Sequence, residues 1–544
     1  MMAALAGVFA SAGRLLATLS GIASGFVTGA LAAWIALFLA AELGDARLGP
    51  LPRSLLMLLG GLAGAGIAGA LLQSPPPADV MGSARWARRR EVRAALAAPA
   101  LARDSAALLI GCGHRGELLR HAGPAHLLTI APTRSGKGVG TVLPNLLAAD
   151  RPIVCVDPKG ENARVAARAR RRFGPVWVLD PFGASALAGA CYDPAVSLDP
   201  HSPDLADDAA TLADALVHDP PGQVTEAHWN EEAKALIAGL LMHLACRGRE
   251  GRRGLPELRR LLTLPPREWD ALLASLMADA DAAGGLVARA AARQIGKADR
   301  EAAGVLSSVQ RHTHLLDSPR LAAAMARSDF RWRDLRGGAA TVFLVLPPDR
   351  MGAYARWLRL MIAQCIGELA RTPLRPGAPP ALLLLDEFAA LGRLEPALQA
   401  SGLMAGLGLQ LWPILQDLTQ LRAVYGAQAG TFLANAGLVQ ASAPADLETA
   451  TWLSRCLGNA TVHYETASRS RSGPDLVAAL LSGAHGSTTE GVGGHLTARP
   501  LLSPDEAMRL PAHLQVLLRP GHAPALVAKL RHFADREFAG LADG

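Results

Sequence analysis

Cysteine is scarce and widely dispersed in this chain of 544 residues. The six cysteines contain no C-x-x-C pair, and several of them lie within apolar patterns typical of strands or helices. A disulfide framework or a zinc site needs paired or clustered cysteines, so the sequence argues against both. The pattern instead predicts reduced, mostly buried thiols in a cytosolic domain.

Aromatic and charged residues are also few, at 4% and 19% of the chain, whereas 50% is hydrophobic. The accompanying abundance of Ala, Leu, Gly and Arg is typical of a GC-rich genome and carries little functional information. The net charge of +7 is modest for this length. It permits contact with nucleic acid or anionic lipid but identifies neither. The length allows roughly two to four domains with ample core.

The N-terminal region has almost no charge. Residues 1–41 contain a single charged residue, Arg14, and a second uncharged stretch covers residues 54–73. Residues 21–41 alone would form a helix of about 31 Å, which is long enough to span a bilayer. The sequence therefore predicts two transmembrane helices, at about 15–41 and 54–73. A secretory signal peptide is the competing interpretation, but there is no basic n-region and a second span follows.

Arginines concentrate after the second predicted span. The loop at 42–53 holds two basic and two acidic residues, whereas five arginines lie within residues 85–93. By the positive-inside rule, both termini are expected in the cytoplasm and the short loop in the periplasm. Lipid head groups are the favoured partners of this arginine run, and DNA is the alternative.

A strand, a glycine-bearing turn and a helix are predicted between His126 and Leu147. This is the physical unit of a phosphate-binding loop, in which backbone N–H groups face phosphate oxygens and Lys137 supplies a point charge. Two positions depart from the G-x-x-x-x-G-K-[ST] pattern: Ala131 replaces the first glycine, and Gly138 replaces the hydroxyl that normally reaches magnesium. On this stretch alone, a plain turn before a helix remains the alternative. The candidate nucleotide-binding residues here are Thr133, Arg134, Ser135, Gly136, Lys137 and Gly138.

Charged and polar residues follow three further apolar runs. Asp157 and Lys159 close the first run, Asp386 and Glu387 close the second, and Gln416 follows the third. Ligands of open parallel sheets bind at the carboxyl ends of the strands, so these groups are expected near a nucleotide. Asp386 is suited to holding magnesium, Glu387 to orienting or deprotonating an attacking water, and Gln416 to sensing the terminal phosphate. Together they favour the phosphate-binding loop over the plain turn.

These motifs resemble those of the conjugative coupling proteins of type IV secretion systems, the membrane-anchored TraG/TraD/VirD-type ATPases. Gly138 fits the Gly-Lys-Gly version of the loop seen in many members, but it leaves one magnesium ligand unassigned. The resemblance runs from about residue 81 to the C-terminal region, with its blocks in the family's order. The blocks are GSARWA (82–87), APTRSGKGVG (131–140), VDPKGE (156–161), LLLLDEFAALG (382–392), PILQDLTQL (413–421) and RPLLSPDE (499–506).

The implied fold is α/β: a RecA/FtsK-like P-loop nucleotide-binding domain with an inserted all-α domain and an N-terminal two-helix transmembrane anchor. Helical patterns with almost no strand signal predict the all-α part. The expected order is an anchor (1–80), a juxtamembrane basic linker with the start of the motor domain (81–125), the first part of the ATPase domain (126–201), the all-α domain (202–329) and the second part of the ATPase domain (330–544).

Two segments of the motor domain are expected to be solvated. The arginines between Arg164 and Arg172 are expected on an exposed helix face, with a channel-facing basic stripe as the alternative. Residues 465–500, rich in Ser, Thr, Gly and Arg, are expected to form a mobile loop. After it, a turn at 519–521 predicts a late β-hairpin.

The resemblance implies an ATPase of the bacterial inner membrane, multi-pass with its large domain cytoplasmic, that pumps substrate into a type IV secretion or conjugation channel. It further implies ATP and Mg²⁺ as cofactors, a homo-hexamer, single-stranded DNA with relaxase or proteins as cargo, and contact with other type IV secretion ATPases and channel subunits. Lys137 would hold phosphates, Asp386 magnesium through water, Glu387 the attacking water, and Gln416 would report the terminal phosphate. No arginine finger is assigned.

Two alternatives stay open. A cargo-receptor module with little ATP hydrolysis would explain the missing first glycine and the missing Ser or Thr of the loop. A double-stranded DNA translocase of the FtsK type shares the P-loop core and the anchor. It normally carries a C-terminal winged-helix domain, and the chain after Phe533 is too short for one.

Overall fold

The structure is a computed structural model that describes residues 58–63, 79–217, 227–249, 251–403, 405–472 and 487–543. The two predicted transmembrane helices lie outside these residues, apart from a short helical stretch at 58–63. In the described part, no single helix has the length and apolarity to cross a membrane. One bent pair, Pro266–Ala278 with Ala282–Ile295, meets that test by length and composition only.

Contacts divide the chain into two compact units. The smaller unit consists of Met1–Ser83 and Ala460–Arg499, and the larger unit consists of Ala84–Asn459 and Pro500–Gly544.

The strands, in chain order, are β1 (Leu108–Cys112), β2 (Leu118–His121), β3 (His126–Ile130), β4 (Ile153–Asp157), β5 (Val176–Leu179), β6 (Thr341–Val345), β7 (Ala381–Leu385), β8 (Leu409–Leu415), β9 (Ala436–Ala441), β10 (Asn459–Ser472), β11 (Ser487–Pro500), β12 (Leu514–Leu518) and β13 (Ala525–Ala528).

The larger unit is built on an eleven-stranded mixed sheet in the order β2-β1-β13-β12-β9-β3-β8-β7-β4-β6-β5. From β9 to β5 all neighbours pair in parallel. The strands at the other edge pair antiparallel. The predicted α/β class is thus confirmed, and the late hairpin is β12–β13. Strands β1 and β2 extend the antiparallel edge and were not predicted from the sequence.

The central strands are continuous apolar runs because both faces of the sheet are covered. Along β4, Val154 and Val156 belong to the core on one face. Ile153 and Cys155 belong to the core on the other. This alternation follows from the two-residue period of a strand. In these central strands, a sequence run that is apolar at every position therefore corresponds to a parallel strand buried on both faces.

The α-helices surround this sheet and fill the chain between β5 and β6. They are α1 (Arg89–Leu96), α2 (Pro99–Arg103), α3 (Leu143–Ala148), α4 (Glu161–Arg170), α5 (Leu205–Leu216), α6 (Ala227–Arg247), α7 (Leu255–Leu262), α8 (Pro266–Ala278), α9 (Leu286–Ile295), α10 (Asp299–Thr313), α11 (Pro319–Ala324), α12 (Pro348–Arg371), α13 (Glu395–Leu403), α14 (Leu418–Tyr425), α15 (Ala429–Ala434), α16 (Leu447–Leu457) and α17 (Pro504–Met508).

Helices α5 to α11 lie in the stretch predicted to be all-α, and its described residues contain no strand. Leu212 of α5 and Ile237 of α6 share one core cluster with Leu344 of β6, so these helices pack as one body with a face of the sheet. Helix α8 ends at Ala278, and the positive φ angles of Ala283, Gly284 and Gly285 turn the chain before α9 begins.

The prediction that the arginines of α4 all lie on a solvated face is wrong for Arg170, whose side chain is 0% exposed. Its guanidinium donates to Thr341 Oγ1 at 2.7 Å, to the carbonyl oxygen of Arg151 at 2.7 Å, and to that of Ala149. Helical spacing places residue 170 on the same face as Ala163 and Ala166, which both pack in the core. Arg170 therefore links α4 to the ends of α3, β4 and β6.

The prediction of a mobile loop at 465–500 differs from the structure, which forms the two-stranded sheet β10–β11 there. Thr466 Oγ1 donates to the carbonyl oxygen of Gly493, and the rings of Tyr464 and His495 stack at 5.4 Å. Thr, Val and Tyr favour strands, and pairing satisfies the backbone even where side chains are exposed. Residues 473–486 lie outside the described residues.

Candidate nucleotide-binding site

The phosphate-binding loop follows β3 without interruption and runs into a helix. Arg134 and Gly136 have positive φ, of 62° and 83°, and together they reverse the chain. A π-helical turn, Gly138–Val142, then leads into α3. The left-handed conformation is costly for a residue with a side chain, by about 1 kcal/mol or more. A strained turn before a helix whose first N–H groups lack helical partners suits an anion.

Lys137 lies between the two carboxylates that close β7. Its Nζ is 2.5 Å from Glu387 Oε1 and 3.5 Å from Asp386 Oδ1. The Lys137 and Asp386 side chains are only 13% and 14% exposed, so water screens this pair weakly. The structure therefore brings the predicted phosphate-binding cation, the predicted magnesium ligand and the residue predicted to act on the attacking water into one cluster.

Gln416 extends the same cluster to the start of the phosphate loop. Its Nε2 donates to Glu387 Oε2 at 2.9 Å, and its Oε1 accepts from Thr133 Oγ1 at 3.1 Å. A chain of hydrogen bonds thus runs from Thr133 through Gln416 and Glu387 to Lys137. Hydrogen bonds joined in such a chain polarise and strengthen one another.

Strand register explains why these distant residues meet. Ile130 of β3 pairs with Leu415 of β8, and Leu385 of β7 pairs with Pro413 of β8. The three parallel strands therefore end side by side, and the residues that follow each of them share one edge. Glu387 itself has φ of 53°, a left-handed conformation that a residue with a side chain seldom adopts and that is frequent at active sites.

Asp386 and Ser135 supply oxygen atoms suited to a magnesium–phosphate group. Burial raises the pKa of the Asp386 carboxyl, and the charge of Lys137 opposes that rise. The Ser135 hydroxyl is buried and has no hydrogen-bond partner among the described residues. Magnesium needs few protein ligands when it shares phosphate oxygens and water, so one carboxylate and a free hydroxyl fit it. The described residues contain no cluster of three or more His, Cys, Asp or Glu that could hold a metal alone.

Asp157 and Lys159 are not part of this hydrogen-bonded cluster. Asp157 is 1% exposed, and its Oδ2 accepts from the backbone N–H of Ala163 at 2.8 Å, so it caps the start of α4. Burial raises the pKa of Asp157 to about 6. The Lys159 side chain is exposed, as is that of Arg134.

Two residues near the C-terminus contact the phosphate loop and were not predicted. Lys529 Nζ donates to the carbonyl oxygen of Ser135 at 2.8 Å, and burial lowers the pKa of Lys529 to about 8. His532 contacts the carbonyl oxygen of Val139 through its backbone N–H at 3.3 Å and through Nδ1 at 3.2 Å. These residues lie about 390 positions from the loop in sequence, and no local motif marks them.

Replacing Lys529 with methionine is expected to weaken ADP binding about tenfold, because the Ser135 carbonyl loses a charged donor worth roughly 1.5–3 kcal/mol. Equilibrium titration of the full-length protein with ADP measures this change. Lys234→Met serves as the control, because Lys234 lies in α6 and its Nζ pairs with Asp214 and Glu231. Equal ADP affinity in wild type and Lys529→Met would show that the loop keeps its shape without this contact.

Comparison with known proteins gives consistent matches over most of the chain. The family described as "Type IV secretory system Conjugative DNA transfer" matches residues 85–542. A conjugal transfer protein TraG of Escherichia coli is 30% identical over 83% of this chain and 74% of its own length. Protein VirD4 of Agrobacterium fabrum is 29% identical over 84% of this chain and 66% of its own length.

Among solved structures, the bacterial conjugative coupling protein TrwB has a similar fold. The TM-score is 0.61 at 19% sequence identity, and the match covers 85% of this chain and 97% of that one. At this identity the likeness concerns the fold. It supports an α/β P-loop architecture with a mixed sheet for the larger unit.

Proposed function

The chain belongs to the type IV secretory system conjugative DNA transfer family and is a coupling protein of type IV secretion, and on this basis we propose that it is an ATP-hydrolysing motor. The observation that carries the proposal is the cluster in which Lys137, Glu387 and Gln416 are hydrogen-bonded at the phosphate loop. A module that only received cargo would have no physical need for this arrangement.

The proposed chemistry needs positioning and charge more than covalent steps. Lys137 exchanges its contact with Glu387 for the nucleotide phosphates. Glu387, released from the ammonium group, then orients and deprotonates the attacking water. Magnesium, held by Asp386 through water, would neutralise charge on the phosphates. Gln416, which contacts both Glu387 and Thr133, reports the presence of the terminal phosphate.

The solved structures of TrwB support nucleotide as the ligand of such a fold. TrwB has been solved with a non-hydrolysable ATP analogue, with ADP and Mg²⁺, and with a non-hydrolysable GTP analogue. For the present chain we propose ATP and Mg²⁺, bound by Ser135, Gly136, Lys137 and Gly138 of the loop together with Asp386.

Membership of the family supports proposals about the location, assembly and cargo of the protein. We propose a multi-pass protein of the bacterial inner membrane, anchored by residues 1–80, with the large domain in the cytoplasm. A homo-hexamer would move single-stranded DNA with its relaxase, proteins, or both, in contact with other secretion ATPases and channel subunits. The helices within 202–329, as an inserted all-α domain, would contact the cargo.

ATPase activity of the full-length protein in detergent, with and without single-stranded DNA, tests the proposal. We expect DNA-stimulated hydrolysis that falls at least about 100-fold in Lys137→Ala, because the phosphates lose their main charge-assisted contact. Lys234→Ala, compared in the absence of DNA because its helix belongs to the proposed cargo-contacting domain, is the matched control. Folded protein that binds ATP without hydrolysing it would favour the cargo-receptor function. DNA stimulation only by double strands would favour a translocase of the FtsK type.

A further inference from the structure

A short C-terminal segment, residues 529–533, is fastened to the phosphate loop at two points. Lys529 contacts the Ser135 carbonyl, and His532 contacts the Val139 carbonyl with two donors. Between these points, a Cβ added at Gly140 would lie 2.9 Å from the carbonyl oxygen of Leu530, so only glycine permits this approach. The segment is therefore held rigidly against the start of the helix that follows the loop.

Sheet order places this segment and the carboxylates on opposite sides of the loop. The catalytic candidates follow β7 and β8, on one side of β3, whereas β9, β12 and β13 lie on the other side. Residues 529–533 continue directly from β13. A nucleotide with its terminal phosphate beside Glu387 and Lys137 would extend its nucleoside away from β7, toward this segment.

Phe533 is the conspicuous residue of the segment, because its side chain is 69% exposed. Leu530, three positions before it, is 1% exposed, and Phe538, five positions after it, is 2% exposed. The His532 ring meets the Phe533 ring edge-on, at 5.6 Å and 87°. A phenylalanine presented to solvent from a backbone anchored on both sides contributes nothing to the core.

We propose that Phe533 is the platform on which the nucleobase stacks, with His532 and Lys529 as the residues that position it. The inference rests on the proposed function, since it assigns the base side of the same site. An aromatic ring offers a face to any base, so this platform favours nucleotides over inorganic phosphates without choosing strongly between adenine and guanine. Base selectivity in this protein is accordingly weak.

Two probes separate the base from the phosphates: ADP and inorganic pyrophosphate, titrated with Mg²⁺ into the full-length protein in detergent. In Phe533→Ala we expect ADP affinity to fall roughly 5- to 150-fold, the equivalent of ~1–3 kcal/mol of stacking. The affinity of the same variant for pyrophosphate is expected to stay unchanged, and its affinity for GDP to fall as much as its affinity for ADP. Phe533→Trp restores ADP affinity. Leu526→Ala, which removes another exposed apolar side chain (41% exposed) from β13, shortly before the segment, is the matched control.

Three other results would contradict the inference, and each has a different cause. If wild type binds ADP and Phe533→Ala binds it equally well, Phe533 does not stack on the base. If ADP and pyrophosphate weaken together, Phe533 acts through the shape of the phosphate loop. If wild type binds neither probe, and Lys137→Ala changes nothing, the proposed ATPase function fails as well.

Discussion

Replacing Glu387 with glutamine is expected to lower the ATPase rate by at least about 100-fold and to leave ATP binding intact or tighter. A general base contributes about 10²–10⁴-fold to such a reaction, and an amide cannot accept the proton of the attacking water. Glutamine also lacks the charge that holds Lys137 at 2.5 Å in the structure. Lys137 is then free to bind phosphate without first breaking an ion pair.

Steady-state hydrolysis and ATP titration on the same full-length preparation measure both halves of this prediction. Glu395→Gln is the matched control, because Glu395 is a partly exposed carboxylate eight positions later that pairs with Arg393. Loss of hydrolysis together with loss of ATP binding would assign Glu387 to the architecture of the site. Retained hydrolysis would falsify its role as the base.

Replacing Arg170 with methionine is expected to destabilise the larger unit by about 3 kcal/mol. The change leaves the buried carbonyl oxygen of Arg151 without a donor and removes one donor each from the Ala149 carbonyl and Thr341 Oγ1. An unsatisfied buried group costs about 1–3 kcal/mol, and the other lost hydrogen bonds add to it. Burial already lowers the pKa of Arg170 to about 10, so the charged group is held there at some cost. Removing the buried charge also removes its desolvation cost. The expected loss of unfolding free energy is therefore smaller than the summed contributions of the lost hydrogen bonds.

Urea denaturation of the full-length protein in detergent measures this effect, with Arg164→Met as the control. Arg164 lies on the exposed face of the same helix, so its replacement is expected to change the free energy of unfolding by less than about 0.5 kcal/mol. A denaturation midpoint for Arg170→Met equal to that of Arg164→Met would mean that the carbonyl groups find other donors.

Sequence and structure agree best where local pattern and burial coincide. Strands β4, β6, β7 and β8 are buried at every position, and such strands appear in sequence as uninterrupted apolar runs. The residues that follow them were therefore predicted to lie near one another, and Lys137, Asp386, Glu387 and Gln416 do. Strands β1 and β2 lie at the edge of the sheet, where their short runs resemble many loops.

Polar residues in apolar surroundings were the main source of error. The pattern of α4 placed Arg170 with the other arginines, because sequence cannot show that the carbonyl groups of Ala149 and Arg151 converge on that position. The β10–β11 segment was misjudged for a related reason. Its Ser, Thr and Gly content indicates a loop, whereas pairing between the strands, which composition does not show, satisfies its backbone.

The sequence by itself determined the parts of this protein that depend on neighbours within a few residues: the strand, turn and helix of the phosphate loop, the acids that close β7, and the family. Tertiary structure decided which of these parts touch. Lys137 and Glu387 are 250 positions apart, and Lys529 is 394 positions from Ser135. Such contacts depend on the order of strands in the sheet. Packing of the whole chain sets that order, and no local sequence pattern specifies it.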